Sequence, residues 1–163
     1  TNQISDKLSA EILLKLTAYK NTGKTGSTLL GIEVMKKFYG SLGVPTTSQE
    51  IVDGSGASHN DLVQPNWMTS ALVALYKSAM MTVYIQTLAK PGQRGTLKFR
   101  LNNLANKLYA KTGSNAGISG LTGYLNACSG KTYAFSILIQ NYKGTSTSAK
   151  DLENKIIQTL YNY

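Results

Sequence analysis

One short motif has residue types suited to holding a carboxylate next to an oxyanion. Lys111-Thr112-Gly113-Ser114 follows the apolar alternation of a predicted strand over Lys107–Thr112, at the end of that strand. The lysine supplies positive potential, the threonine offers a hydroxyl to a carboxylate, and the glycine lets that carboxylate approach the strand. The backbone N–H beyond the glycine can donate to a developing oxyanion. The motif therefore suits substrate binding at a strand edge, and a solvated strand end is the competing interpretation.

A second copy of the tripeptide shows that the motif alone is weak evidence. Lys24-Thr25-Gly26 lies between two predicted helices and not on a strand, which indicates a turn. A phosphate-binding loop is excluded here, because that motif needs a glycine five residues before Gly23 and the sequence has Ala18 at that position.

Hydrophobic periodicity predicts helices in the first part of the chain and again at its end. The first should run from about Ser5 to Tyr19, with Ile4, Leu8, Ile12, Leu13 and Leu16 as its apolar positions. The other predicted helices run from a Ser27 cap to Gly40, from Pro65 through Tyr76, over 80–88, and from a Ser148 cap to the end.

Three stretches with strand-like alternation lie between the last two helices. They cover Lys107–Thr112, Ile118–Ala127 and Thr132–Gln140, and the turn Ser129-Gly130 joins the last two. Thr132–Gln140 is mostly apolar on both faces, which predicts a central strand covered on both sides. A short buried strand is also predicted at Ile51-Val52.

Composition excludes several classes of protein. The 163 residues are 42% hydrophobic and 15% charged, which indicates a folded chain, and no apolar run approaches the ~20 residues of a membrane span. The first residues do not follow the basic and then apolar pattern of a leader, so none is expected within residues 1–163. One cysteine and one histidine provide no zinc spacing and no internal disulfide. The net charge of +9 favours polyanions, but the basic residues are scattered, so a nucleic-acid binder has only the charge to support it.

Four segments, in order, resemble the class C low-molecular-mass penicillin-binding proteins, the serine D-Ala-D-Ala carboxypeptidases and endopeptidases that trim peptidoglycan. The segments are Asp53-Gly54-Ser55-Gly56-Ala57-Ser58, Gly95-Thr96-Leu97 with Arg100, Tyr109-Ala110-Lys111-Thr112-Gly113-Ser114, and Leu121-Thr122-Gly123-Tyr124. The resemblance implies that Lys111 is catalytic and that Thr112, Gly113 and Ser114 bind substrate. It also implies that the Asp53 segment is structure around the cleft, and Ser55 lacks the Gly-x-Ser-x-Gly context of a nucleophile elbow.

Ser5-Asp6-Lys7 occupies the place of a Ser-Asp-Asn motif in that family. The resemblance implies that Ser5 is catalytic, relaying a proton between the catalytic lysine and the leaving nitrogen, and that position 7 grips the substrate amide. Lys7 replaces the asparagine, and an ammonium only donates hydrogen bonds whereas an amide also accepts them. The replacement would also add a second cation near Lys111. The alternative for Ser5 is a simple helix cap.

The nucleophile motif of the family, Ser-x-x-Lys, occurs nowhere in the chain. Thr17-Ala18-Tyr19-Lys20 imitates it but lies inside the first helix. Without an activated nucleophile no acyl-enzyme can form. We therefore expect residues 1–163 to be the C-terminal part of a larger penicillin-binding domain, inactive alone.

The resemblance implies a β-lactamase/transpeptidase-like α/β fold, with an antiparallel sheet flanked by helices. It implies acyl-enzyme hydrolysis of D-Ala-D-Ala peptides, no metal or organic cofactor, and a periplasmic or otherwise extracytoplasmic location. The expected partners are peptidoglycan stem peptides, β-lactams and the missing N-terminal part, with no nucleic acid. Self-association across an unpaired strand edge is also expected. A non-catalytic wall- or penicillin-recognition module is the alternative that Lys7 favours.

Overall fold

The computed structural model describes all residues from Thr1 to Tyr163, which form two compact units. The helical unit consists of Thr1 and residues 6–77, and the sheet unit consists of residues 2–5 and 78–163. None of the helices combines the length and the apolar character needed to cross a membrane.

The helical unit contains α1 (Lys7–Thr22), α2 (Thr28–Ser41) and α3 (Pro65–Tyr76). As predicted, the Ser27 hydroxyl caps α2 and Pro65 occupies the first turn of α3. The α1 and α2 backbones approach closely at Gly31, where a Cβ atom would lie 2.6 Å from Leu14 Cγ. The predicted strand at Ile51-Val52 is wrong, because the only pairing nearby is a single bridge between Glu50 and Leu62.

The apolar positions predicted along the first helix are mostly exposed. Leu8 is 71% exposed, and Ile12, Leu13 and Leu16 are also exposed, whereas Ala18 is the buried residue of α1. The helix forms as its periodicity predicts, but within this chain its apolar stripe is not a core face.

The sheet unit contains α4 (Met81–Thr87), a short 3-10 helix (Asn102–Leu104), β1 (Leu108–Asn115), β2 (Ile118–Asn126), β3 (Thr132–Gln140) and α5 (Ser146–Asn162). The three strands are antiparallel in the order β1-β2-β3. The prediction that β3 is central is therefore wrong for this chain. β2 is the central strand and β3 is an edge strand on which only Phe135 is buried, because the chain itself supplies no further strand to pair with it.

Helices lie on both faces of this sheet. Residues of odd number on β2 face α5, since the Ser119 hydroxyl donates to Glu153 of α5 at 2.6 Å. On the other face Tyr124 of β2 meets Tyr84 of α4 edge to face, with ring centroids 6.4 Å apart. The main core is on the α5 face and includes Leu97, Leu104, Leu108, Leu121, Leu125 and Ile157.

The start of α5 differs from the prediction. Thr145 is the N-cap residue, and Ser148 lies inside the first turn, where its hydroxyl donates to the Thr145 carbonyl at 2.8 Å. The helix therefore begins three residues earlier than predicted. A serine is favoured at both positions, because its hydroxyl can accept from an N–H as a cap or donate to a carbonyl within the first turn.

Candidate active site

Ser5 and Lys111 meet in the sheet unit although 106 positions separate them in sequence. Lys111 lies on β1, and its Nζ donates a hydrogen bond to Ser5 Oγ at 2.6 Å. The same ammonium donates to the carbonyl of Thr112. Both Ser5 and Lys111 are half-buried, so the ammonium is partly shielded from water and its field is less screened than that of a surface lysine.

Hydrogen-bond directions at this pair decide which proton Ser5 can give away. Because Ser5 Oγ accepts a bond from an ammonium, the hydroxyl hydrogen of Ser5 remains available for another acceptor. The pair can therefore pass a proton from Lys111 through Ser5 to an atom bound beside it.

Ser5 does not cap α1. Its backbone is left-handed, with φ of 56°, and Asp6 is the N-cap residue, accepting from the N–H groups of Leu8 and Ser9. The Ser9 hydroxyl also donates to Asp6, and this bond, followed by the Ser9 N–H, lowers the pKa of the Asp6 carboxyl. The alternative in which Ser5 is a helix cap is therefore wrong, and its hydroxyl bonds to Lys111 instead.

Strand β1 extends to Asn115, so the predicted motif lies within the strand and not at its end. Ala110 N–H and C=O both bond to Ala89 on the side away from β2. Since backbone groups alternate in direction along a strand, the N–H groups of Thr112 and Ser114 point to this same outer edge. Beyond Ala89 no strand of the chain covers that edge. The edge is therefore open at Thr112, Gly113 and Ser114.

The side chains of the motif alternate across the strand. Lys111 and Gly113 pair with Thr122 and Gly120 on the face that carries Lys111 toward Ser5, whereas Thr112 and Ser114 belong to the opposite face. Gly113 and Ser114 are exposed and Thr112 is half-buried.

Internal packing does not require a glycine at position 113. A Cβ atom there would lie 3.8 Å from Gly120 Cα, an ordinary contact. At Gly123 on the neighbouring strand, in contrast, a Cβ atom would lie 2.0 Å from the Tyr109 carbonyl oxygen. The fold thus needs Gly123, whereas the packing at Gly113 leaves room for a side chain.

Lys7 is the first residue of α1 and is exposed. It belongs to the helical unit, whereas Ser5 and Lys111 belong to the sheet unit. Its predicted role in gripping substrate, and its effect on the charge near Lys111, stay predictions.

The second Lys-Thr-Gly copy lies between α1 and α2, as predicted. Gly23 has φ of 69° and closes α1 through its N–H to the Tyr19 carbonyl at 2.9 Å. At Gly26 a Cβ atom would lie 2.1 Å from the Lys15 carbonyl oxygen, so close helix packing accounts for this glycine.

Ser55 is part of the hydrogen-bond network that holds its loop together. The Asp53 carboxylate accepts from the N–H groups of Ser55, Gly56 and Ser58 at 2.7, 2.6 and 2.9 Å, and from the Ser55 hydroxyl at 3.0 Å. Burial alone would raise the pKa of Asp53, but the Ser55 hydroxyl and these N–H groups outweigh it and lower the pKa. The loop is a poor place to activate Ser55, because the hydrogen bonds that lower the pKa of Asp53 make it a weak base and His59 is exposed.

The sequence patterns missed a buried ion pair that supports β2 beneath the candidate edge. Glu153 of α5 is 0% exposed, bonds to Arg100 at 2.7 Å and accepts from the Ser119 hydroxyl. Ser119 pairs directly with Ser114 of β1. A glutamate on an amphipathic helix normally lies on the solvated face. The apolar neighbours Leu152 and Ile156 are themselves exposed, so the helical pattern carries no signal for the burial of Glu153.

The antiparallel sheet between helices, with a lysine-bearing edge strand beside a serine, defines a β-lactamase/transpeptidase-like α/β fold. The chain belongs to the D-Ala-D-Ala carboxypeptidase 3 (S13) family, whose sequence model matches residues 1–163.

Individual relatives agree with that family. The chain is 28% identical over 165 residues to the D-alanyl-D-alanine carboxypeptidase DacB of Haemophilus influenzae, covering 97% of the chain and 34% of the relative. The crystal structure of penicillin binding protein 4 from Haemophilus influenzae, complexed with a β-lactam, superimposes with a TM-score of 0.89 at 27% identity, covering 99% of the chain and 40% of that structure.

A more distant structure shows the same fold alone. The TLA-3 extended-spectrum β-lactamase superimposes with a TM-score of 0.67 at 18% identity, covering 98% of the chain and 60% of that structure. The chain spans about a third of the length of the curated relatives it matches.

Proposed function

We propose that this chain supplies the proton relay and the substrate-binding edge of a serine-type D-Ala-D-Ala carboxypeptidase or endopeptidase. The observation that carries the proposal is the 2.6 Å hydrogen bond from Lys111 Nζ to Ser5 Oγ beside an open strand edge. Membership of the carboxypeptidase family and the similarity to penicillin binding protein 4 support it.

In the proposed reaction a serine outside this chain attacks the carbonyl of the penultimate D-Ala and forms an ester. The C–N bond to the terminal D-Ala breaks, and its nitrogen takes the hydroxyl proton of Ser5. Ser5 takes a proton from Lys111 in turn, and the proton released by the attacking serine restores the Lys111 ammonium. Water later hydrolyses the ester, adding its OH to the carbonyl carbon and returning a proton to the attacking serine. Lys111 and Ser5 are thus the proposed catalytic residues of this chain, and the reaction as written needs no metal or organic cofactor.

The open edge of β1 is the proposed docking site for the substrate. The outward N–H of Ser114 would donate to the oxyanion, and the Lys111 charge would hold the terminal carboxylate. Thr112, whose side chain is on the other face of β1, would bind the substrate through its outward N–H. The room beside Gly113 allows the peptide to approach the backbone.

The nucleophile is proposed to lie in a part of the protein outside residues 1–163. Two facts support this: the relatives are about three times as long, and Ser-x-x-Lys is absent from the chain. The exposed apolar stripe of α1 and the unpaired edge of β3 would then pack against that part. In its absence these surfaces favour self-association. Peptidoglycan stem peptides and β-lactams are the proposed ligands, and a location outside the cytoplasm is proposed with them.

Release of D-Ala from a peptide ending in D-Ala-D-Ala, catalysed by the full-length protein and blocked by penicillin, tests the proposal. We expect release with the full-length protein, and loss of release in the full-length Ser5→Ala variant. Unaltered release in that variant would contradict the relay.

A non-catalytic recognition module is the second candidate, and Lys7 is the observation that favours it. Lys7 can only donate hydrogen bonds, whereas the asparagine of the family both donates and accepts them. The change therefore weakens the orientation of the substrate amide more than it weakens the binding of an anion. This candidate predicts reversible binding of penicillin by the full-length protein, with neither acylation nor D-Ala release.

A further inference from the structure

The short segment before α1 is fastened to the sheet unit by three hydrogen bonds. Thr96 N–H donates to the Gln3 carbonyl at 2.9 Å, Asn2 Nδ2 donates to Thr87 Oγ1 at 2.9 Å, and Gln3 Nε2 donates to the Gln86 carbonyl at 3.1 Å. Ser5 follows two residues after Gln3. Its left-handed backbone, at φ of 56°, is costly for a non-glycine residue and persists only where the surroundings hold it.

Gly95 makes this attachment possible. Its φ is 136°, which side chains rarely adopt, and a Cβ atom on it would lie 2.5 Å from the Gln3 carbonyl oxygen and 3.2 Å from the carbonyl carbon. The obstructing atoms are backbone and not the flexible end of a side chain. Any residue other than glycine at position 95 must therefore push the Gln3 peptide away or move its own loop.

We propose that Gly95 is a positioning residue. Because it has no side chain, the Gln3 carbonyl can pack against the loop, and this contact holds Ser5 Oγ at hydrogen-bonding distance from Lys111. The inference rests on the proposed function, since it concerns the geometry of the same relay. Gly95 contacts no reacting atom and acts only through residues 3–5.

The displacement expected from Gly95→Ala can be derived from the contacts. If the loop stays in place, the distance from the new Cβ to the Gln3 oxygen must increase from 2.5 Å to at least the 3.4 Å of an ordinary contact, a shift of about 1 Å. If this shift is carried two residues along the chain to Ser5, it lengthens the 2.6 Å hydrogen bond between Ser5 and Lys111 beyond the distance at which it can pass a proton. A misplacement of about 1 Å in a catalytic constellation costs about 10²-fold in rate.

A double-mutant cycle on penicillin acylation in the full-length protein tests the inference. We expect Gly95→Ala to lower the maximal acylation rate by about 10²-fold while the penicillin concentration for half-maximal rate stays within a factor of about three. In the Ser5→Ala background we expect Gly95→Ala to have little further effect, because both changes disable one relay. Effects that multiply in the cycle would show that Gly95 acts independently of Ser5, and would overturn the inference.

Gly92→Ala is the matched control. Gly92 is in the same loop with φ of 73°, and a Cβ atom added to it would have Asn102 Oδ1 as its nearest neighbour, at 3.9 Å, so the change costs backbone strain without touching Gln3. We expect an acylation rate close to that of the unmodified protein. A loss as large as that of Gly95→Ala would attribute the effect to loop strain and overturn the inference.

If Gly95→Ala does not fold, the double variant Asn2→Ala/Gln3→Ala replaces it. Losing both side-chain anchors should lower the maximal acylation rate by roughly three- to tenfold, and an unchanged rate would overturn the inference. Failure of the proposed function is a separate result: there Ser5→Ala and Lys111→Ala would leave acylation unaltered. A large loss in those two variants, with none in Gly95→Ala, contradicts the positioning role alone.

Discussion

Replacing Lys111 by alanine removes the charged donor that lies 2.6 Å from Ser5 Oγ. In a shielded site, loss of one pre-organised donor typically costs about 10²–10³ in rate. The effect on folding should be much smaller, because Lys111 is half-buried on an edge strand, and two of its hydrogen bonds are to a serine and a main-chain carbonyl. We expect the free energy of unfolding to change by about 1 kcal/mol or less.

The assay is the rate of acylation by a fluorescent penicillin in the full-length protein, measured beside urea unfolding of the same samples. Lys24→Ala is the matched control, because it removes a lysine of the other Lys-Thr-Gly copy, between α1 and α2. We expect its acylation rate and its unfolding midpoint to be unaltered.

Two results would refute the reasoning about Lys111. Equal acylation rates in the Lys111→Ala variant and the unmodified protein would show that Lys111 takes no part in the reaction. A rate loss that merely follows a large loss of folded protein would show that Lys111 supports the fold and not the chemistry.

Three further predictions concern the substrate grip, the core and the response to acid. Lys7→Asn in the full-length protein should raise acylation efficiency, because an amide both donates and accepts, and an unchanged or lower efficiency would mean that the site works with lysine. Glu153→Ala should lower the free energy of unfolding by about 3 kcal/mol in urea titrations, because Arg100 loses its buried carboxylate partner and keeps only the neutral acceptors of Asn154 and Lys150; a loss under about 1 kcal/mol would contradict this. Folding lowers the pKa of Asp53 and of Glu11, the latter through the Thr28 hydroxyl and then the Gly54 N–H. Below about pH 5 the unfolded chain therefore binds more protons, and stability should fall as the pH drops toward 2; Asp53→Asn should flatten this dependence, and an equally steep fall would refute Asp53 as a source.

Local patterns were sufficient to predict the elements that carry the site. Alternation and the Ser129-Gly130 turn predicted the hairpin of β2 and β3, and Pro65 predicted the start of α3. The Lys111 motif was placed on a strand from the same alternation. These features depend on neighbours within a few positions, which a sequence displays directly.

Features that depend on distant partners were less accessible from the residues alone. The Ser5–Lys111 bond joins residues 106 positions apart, and only the family resemblance brought the two together. Both faces of β3 are mostly apolar, which indicated a central strand. In this chain β3 is an edge strand, and no further strand pairs with it. Burial of Glu153 depends on Arg100 reaching it across 53 positions, which no helical periodicity reveals.

The intact mass of the protein after exposure to penicillin tests the central claim most directly. We predict that the full-length protein gains the mass of one penicillin, that the 163-residue chain gains none, and that full-length Ser5→Ala acquires the same adduct far more slowly. An adduct on the isolated chain, or none on the full-length protein, would contradict the account.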